Sequence, residues 1–183
     1  MGWQNYATSR VYGQPGPTAQ LHLQKRLRHW PLSLLPGLRL HPSMRNLQTI
    51  GRCCQPRVWA AVFRLLCNGW GTSTRFGGTG PCKLGCGCKE DSIRHLAYCP
   101  IVCGLLHKYL GRPRPQRGFE LDALLGLDGH QQEEHSVIGW AQSIYALYRL
   151  HNGRRHGLFD PADVDGAFNE FLREARRGSA HDA

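Results

Sequence analysis

The sequence predicts a mainly α-helical protein: a small knuckle-plus-helix module with flanking helices and a C-terminal helical hairpin. Three observations support this class. Apolar residues recur at helical spacing in several segments, no run of alternating residues marks a convincing strand, and one stretch, residues 82 to 99, holds four cysteines and a histidine. The chain has 183 residues, 41% of them hydrophobic, which is enough for one domain with a modest core.

The first part of the chain contains two predicted helices separated by a proline-rich segment. A short basic amphipathic helix is expected over residues 21 to 30, where the following proline should end it. Residues 31 to 47 carry three prolines and are expected to be extended or rich in turns. The clearest early helix has Pro56 in its first turn, and Gly69 or Gly71 can stop it.

The C-terminal part predicts a helical hairpin. Its first helix should run from about residue 133 to 150, with Asn152 and Gly153 as its stop. The second opens with Asp160 as N-cap and Pro161 in the first position, and apolar residues follow at helical spacing.

Composition shifts divide the chain into four segments. The first residues are rich in Gly, Pro and polar residues without apolar periodicity, and a short run rich in Arg and Pro separates two helical regions. The predicted organisation is a disordered lead-in over residues 1 to 20, a basic helical region with a metal-binding module over residues 21 to 111, a basic linker over residues 112 to 118 and a C-terminal helical region over residues 119 to 178.

The charge is strongly asymmetric along the chain. Residues 1 to 89 contain twelve Lys or Arg and no acidic residue, whereas residues 90 to 183 contain eleven basic and thirteen acidic residues. A long tract without acids attracts polyanions, because each cation that neutralises a phosphate releases a counterion. Lys25, Arg26 and Arg28 are candidate phosphate contacts. The alternative is a basic face that only keeps the protein soluble.

The cysteine pattern predicts an intracellular protein, in the nucleus or cytoplasm. The eight cysteines cluster locally, and no secretion signal or uninterrupted apolar span is present, so no membrane association is expected. Reduced thiols that bind a metal are favoured over a disulfide framework.

The second half of the cysteine-rich stretch has the spacing of a metal-ligand pair on a helix. His95 and Cys99 are four residues apart, so on a helix that begins near Asp91 or Ser92 they project from the same face.

The first half of the stretch leaves a choice open, because Cys82, Cys86 and Cys88 offer three thiols for two ligand positions. Cys82 and Cys86 have three intervening residues, which is a usual zinc-ligand spacing, and Gly85 and Gly87 permit the tight turn that directs both sulfurs at one ion. Cys86 with Cys88 would be a tighter and less common pair.

The preferred ligand set is Cys82, Cys86, His95 and Cys99, with Cys88 as the substitute for Cys86. Four protein ligands leave no position for an activated water, so the predicted Zn²⁺ is structural and no catalytic residue is assigned. Zinc would thus stabilise the knuckle-plus-helix module. The alternative is a group of unliganded thiols near a surface turn.

The residues around the cysteine-rich stretch resemble a motif of a known protein family. "RLLCNGWGTSTRF" followed by "CKLGCGCKEDSIRHLAYCP" resembles the Cys-Cys-His-Cys zinc-binding region that lies downstream of the polymerase domain in reverse transcriptases of non-LTR retrotransposons. The resemblance covers about residues 55 to 102, and Cys88 is additional to the family pattern. The matching positions are Asn68, Gly69, Trp70, Arg75, Phe76, Cys82, Cys86, Asp91, His95 and Cys99.

The resemblance implies a detached or domesticated tail that holds RNA or DNA, with a reverse transcriptase or another polymerase as a protein partner. It implies no activity for this chain, because polymerase and endonuclease motifs are absent and the first 89 residues contain no carboxylate to bind catalytic magnesium. The chain is therefore expected not to be an enzyme. The alternative is a zinc-structured protein-interaction module.

Two further groups are candidates for nucleic-acid contact. Trp70, Arg75 and Phe76 combine aromatic and basic character and would suit stacking on an unpaired base, although Trp70 suits a core position equally. Arg154 and Arg155 lie in a segment, residues 151 to 157, that can be a phosphate-binding corner, a solvated surface or an HNH-type nuclease motif without its usual context.

Overall fold

The computed structural model describes residues 17–32, 36–111, 113, 115–127 and 133–177. These residues form eight α-helices and two 3₁₀ turns and contain no strand, which confirms the mainly α class. The helices are α1 (Pro17–Leu27), α2 (Pro36–Cys53), α3 (Pro56–Leu66), α4 (Ile93–Tyr98), α5 (Pro100–Leu110), α6 (Glu120–Leu124), α7 (Glu134–Arg155) and α8 (Val164–Arg176).

The long helix α7 is the centre of the fold. It packs against α2, α3, α5 and α8, and buried residues occur on all of its faces between Val137 and Gly153. A helix that is covered all round is buried in a core and need not be amphipathic. The predicted hairpin is present, since α7 and α8 share the largest helix-to-helix contact.

Several elements differ from the sequence prediction, and the first is α1, which ends at Leu27 and not at residue 30. It begins at Pro17, so residues 17 to 20 of the predicted lead-in are helical, while residues 1 to 16 lie outside the described residues. Proline has a fixed φ that suits the first helical turn, and its missing N–H is not needed there.

The second difference is α2, which replaces the extended or turn-rich segment predicted for residues 31 to 47. Leu47 and Ile50 are buried, and Leu40 and Met44 pack beside them, so one face of the helix lies against the core. Pro42 lies inside this helix. The prediction was wrong because it gave most weight to the three prolines. Burial of a continuous apolar face outweighs the one backbone hydrogen bond that a proline inside a helix removes.

The third difference is the end of α7, which continues past Asn152 and Gly153 to Arg155. A Cβ atom at position 153 would collide with the ring of Phe159, so this glycine allows close packing and does not stop the helix. The left-handed residue that ends the helix is Gly157, with φ 66°, and the N–H of Leu158 donates to the Gly153 carbonyl.

The hairpin connection follows the sequence prediction in part, because Asp160 caps the 3₁₀ turn Pro161–Asp163, and α8 begins only after this turn. The Asp160 carboxylate accepts a hydrogen bond from the Ala162 N–H at 2.7 Å, as an N-cap does. Further along α8, Glu174 accepts hydrogen bonds from Tyr145 and Arg149 of α7 and pairs with Arg57 of α3. This cluster ties α3, α7 and α8 together.

Candidate metal centre

A capped short helix fixes the position of His95. The Ser92 side chain accepts a hydrogen bond from the His95 N–H at 2.9 Å and so caps α4 at the predicted place. The backbone of Cys99 ends α4 and also caps α5, where Pro100 takes the first position. Two short helices therefore meet at Cys99 and hold its thiol beside the His95 ring.

A tight knuckle presents the first pair of thiols. Gly85 and Gly87 have φ values of 84° and 83°, a left-handed conformation that favours glycine. The Cys82 N–H donates to the Cys88 carbonyl at 2.9 Å, which closes the knuckle. The two glycines have the conformational role that the sequence predicted for them.

Four side chains converge on one point. Their ligand atoms all lie within 4.8 Å of one another, and the members are Cys82, Cys86, His95 and Cys99. The Sγ atoms of Cys82 and Cys99 are 4.0 Å apart, and the Cys86 Sγ lies 3.2 Å from His95 Nε2. In a tetrahedron with Zn–S bonds of about 2.3 Å the sulfurs are about 3.8 Å apart, so the group can hold a metal ion of this size.

Cys88 is not part of this group. It contributes its backbone carbonyl to the knuckle, whereas the neighbouring Cys86 contributes its thiol to the cluster. The structure thus brings together the preferred ligand set and not the substitute.

The cluster is almost closed to solvent. Cys99 is 0% exposed, Cys82 and His95 are below 10%, and Cys86 is half-buried at the rim. With four protein donors around one point, no coordination position remains for a substrate or a reactive water. This arrangement suits a structural ion.

One thiolate is favoured within the buried sulfur pair. The hydrogen bond from Cys99 lowers the pKa of the Cys82 thiol, an effect that burial only partly opposes. The same contact, together with burial, raises the pKa of Cys99. Because two thiols at this distance resist losing both protons, a cation between them would stabilise the fully deprotonated pair.

The buried carboxylate of Asp91 makes long-range contacts that the sequence analysis did not predict. Asp91 accepts hydrogen bonds from the Ser73 N–H at 2.7 Å and the Ser73 hydroxyl at 2.9 Å, and its other oxygen lies 2.9 Å from His151 Nε2. Burial alone raises the pKa of Asp91, but the hydrogen bonds from His151 and Ser73 outweigh burial and the net pKa is lowered. His151, a residue of the segment considered for a nuclease motif, is 1% exposed and paired with Asp91.

Trp70 is a core residue, which corrects its candidate role in stacking on a base. It is 1% exposed, its indole N–H donates to the Ala61 carbonyl at 3.2 Å, and its ring packs against Tyr148. The chain enters this position through Asn68, whose φ of 52° ends α3. Trp70 faces the core because α7 covers the end of α3.

Arg154 is half-buried and makes two hydrogen bonds within the protein. Its Nε donates to the Lys83 carbonyl at 3.1 Å and its terminal nitrogen donates to the Phe159 carbonyl at 2.9 Å. The side chain therefore joins the knuckle to the hairpin connection.

The other candidate contacts lie at the surface. Lys25, Arg26 and Arg28 are exposed on or just after α1. Burial raises the pKa of the Cys67 thiol, and the nearby charge of Arg26 lowers it by a smaller amount. The net result is a pKa of about 12. Arg75 and Arg155 are exposed, and both guanidinium groups lie beside the ring of Phe76.

Comparisons with known proteins do not extend this description. The chain matches no protein-family model, no curated protein and no solved structure. Among the helices of the described residues, none combines the length and apolar character needed to cross a membrane.

Proposed function

We propose that the chain is a zinc-stabilised module that binds RNA or DNA and has no catalytic role of its own. The observation that carries this proposal is the charge distribution: twelve basic and no acidic residues precede Glu90. The resemblance to the tail of non-LTR retrotransposon reverse transcriptases supports the same function. It also suggests a polymerase as the protein partner.

The donor set supports zinc as the metal. Three cysteine thiolates and one histidine nitrogen form a soft, tetrahedral set typical of structural zinc sites. In zinc peptides such a site contributes about 10 to 16 kcal/mol, which is comparable to the stability of a whole domain. The ion would therefore hold the knuckle, α4 and α5 in their relative positions.

The basic residues of the first half differ in how accessible they are to a nucleic-acid phosphate. Arg57 pairs with Glu174, and Arg64 donates to the hydroxyl of Tyr148, so both serve the core packing of α3. Lys25, Arg26 and Arg28 remain exposed at the C-terminal end of α1. These cations, in a tract without acids, are the proposed phosphate contacts.

The test is binding of the zinc-loaded chain to short RNA and DNA at increasing salt. Affinity should fall steeply with salt, and Arg28→Glu should weaken binding and reduce the slope of log affinity against log salt by about 1. Arg173→Glu is the control, because Arg173 is also exposed but lies on α8 in the half with balanced charge. No detectable binding, or binding insensitive to salt, would refute the proposal.

A second candidate is a zinc-structured protein-interaction module. A groove of about 920 Å³ lies between α5, α6 and α7, and its apolar lining includes Val102, Leu106, Tyr109, Phe119 and Trp140. Such a groove can receive a helix or loop of a partner protein, for example a polymerase. This hypothesis predicts that the chain does not bind polyanions. It also predicts that mutations in the groove abolish binding of the partner protein.

A further inference from the structure

We propose that Phe76, Arg75 and Arg155 form a stacking site for an unpaired nucleotide, so that the protein prefers single-stranded segments to duplex. The inference rests on the proposed function, because it assumes that the chain binds nucleic acid. It adds the class of substrate and the residues that select it. We call these three residues the stacking cluster.

Phe76 is an apolar ring presented to solvent. Its side chain is 64% exposed, and it belongs neither to the buried core nor to the partly buried residues packed against the core. Its removal should therefore not cost packing energy. Part of the ring is therefore accessible to a contact outside the chain.

The turn that carries Phe76 is firmly anchored. Phe76 ends the 3₁₀ turn Thr74–Phe76, and the residue before this turn, Ser73, donates twice to the buried Asp91 carboxylate. The Thr74 N–H and hydroxyl both donate to the Asp91 carbonyl, at 3.2 and 3.0 Å. A ring held by such a turn loses little conformational freedom on binding, which favours affinity.

Two guanidinium groups lie beside the ring and come from distant parts of the sequence. The Cζ atoms of Arg75 and Arg155 are 5.7 and 5.2 Å from the ring centroid of Phe76. Because Phe76 is still 64% exposed to solvent with both groups in place, they cover only part of the ring. The remaining ring surface can stack on a base while the two cations contact the flanking phosphates.

This combination selects unpaired nucleotides. In a duplex the faces of each base are covered by neighbouring base pairs, whereas a single strand can present a base to an aromatic ring. The two guanidinium groups attract the phosphates of single strands and duplexes alike. The phenyl ring should therefore give the preference for single strands, and the guanidinium groups should raise the affinity for both.

The experiment measures fluorescence anisotropy of the zinc-loaded full chain with labelled oligonucleotides of about 12 nucleotides. The probes are single-stranded RNA, single-stranded DNA of the same sequence and the corresponding blunt duplexes. Phe76→Ala should weaken single-strand binding by about 5-fold to 150-fold, the range for one base stacked on an aromatic side chain, and leave duplex binding unchanged. Phe76→Trp should retain the preference.

Phe119→Ala is the matched control, because Phe119 is also an exposed phenylalanine but lies in the groove beside Trp140. Zinc content and circular dichroism establish that each variant is folded. The stacking cluster is refuted if the chain binds both forms but Phe76→Ala keeps the wild-type ratio of single-strand to duplex affinity. Absence of binding to every probe would refute the proposed function together with it. The RNA and DNA arms identify which sugar the site accepts.

Discussion

His151 Nε2 lies 2.9 Å from Asp91 Oδ1, and both side chains are 1% exposed. The pair connects α7 to the segment that leads into α4, across 60 residues of sequence. Because Asp91 also holds the turn before Phe76 through Ser73, one carboxylate links the metal-binding region, the stacking cluster and the C-terminal hairpin.

Asp91→Ala should destabilise the zinc-loaded protein by about 3 to 5 kcal/mol, because it leaves the buried His151 imidazole and the half-buried Ser73 donors without their acceptor. Urea unfolding followed by circular dichroism measures this change. Asp165→Ala is the control, since Asp165 pairs with Lys108 at the surface, where solvent screens the interaction. Equal losses in the two variants would contradict the structural role of Asp91.

The contribution of Asp91 should depend on pH in the acid range. Its pKa in the folded protein lies below the ordinary value of 3.8, so the unfolded chain binds more protons than the folded one there. The stabilisation is therefore complete above about pH 4 to 5 and is lost as the pH falls through the folded pKa.

The measurement compares the unfolding free energies of wild type and Asp91→Asn between about pH 6 and 3. Each point is taken at a pH where both proteins retain stoichiometric zinc, because protonation of the metal ligands releases the ion and changes the folded state. The difference should shrink as the pH falls. A difference that grows toward acid would mean that the pKa is shifted in the opposite direction.

Cys86→Ser should abolish stoichiometric zinc, whereas Cys88→Ser should retain it, because only the Cys86 thiol belongs to the convergent group. Elemental analysis of the purified proteins measures the metal content. Chelation of zinc from the wild type should lower the helical signal and melt the region from the knuckle to α5. Loss of zinc in the Cys88 variant alone would reverse the assignment.

Gly153→Ala and Gly104→Ala should have opposite effects on stability. A Cβ atom at Gly153 collides with the Phe159 ring, so the substitution should cost about 1 to 3 kcal/mol. A Cβ atom at Gly104 in α5 meets nothing within 4 Å, so alanine should stabilise that helix by about 0.5 to 1 kcal/mol. Thermal unfolding at fixed zinc concentration measures both, and stabilisation by Gly153→Ala would contradict the close packing.

The sequence by itself determined the features that depend on neighbours along the chain. Ser92 caps the helix that carries His95, Gly85 and Gly87 shape the knuckle, and Asp160 caps the 3₁₀ turn before the last helix. Each of these contacts spans only a few residues, so residue type and spacing are sufficient to predict it.

Only the tertiary structure decided which residues face each other across long separations. It placed the Cys86 thiol, and not that of Cys88, beside His95, and it paired Asp91 with His151. It also buried Trp70. Spacing along the chain favoured Cys86 over Cys88 and left Trp70 suited to a core or a binding position, and no local pattern relates Asp91 to His151, which is 60 residues away. These outcomes depend on how distant segments pack against one another, and residue type and local spacing do not specify that packing.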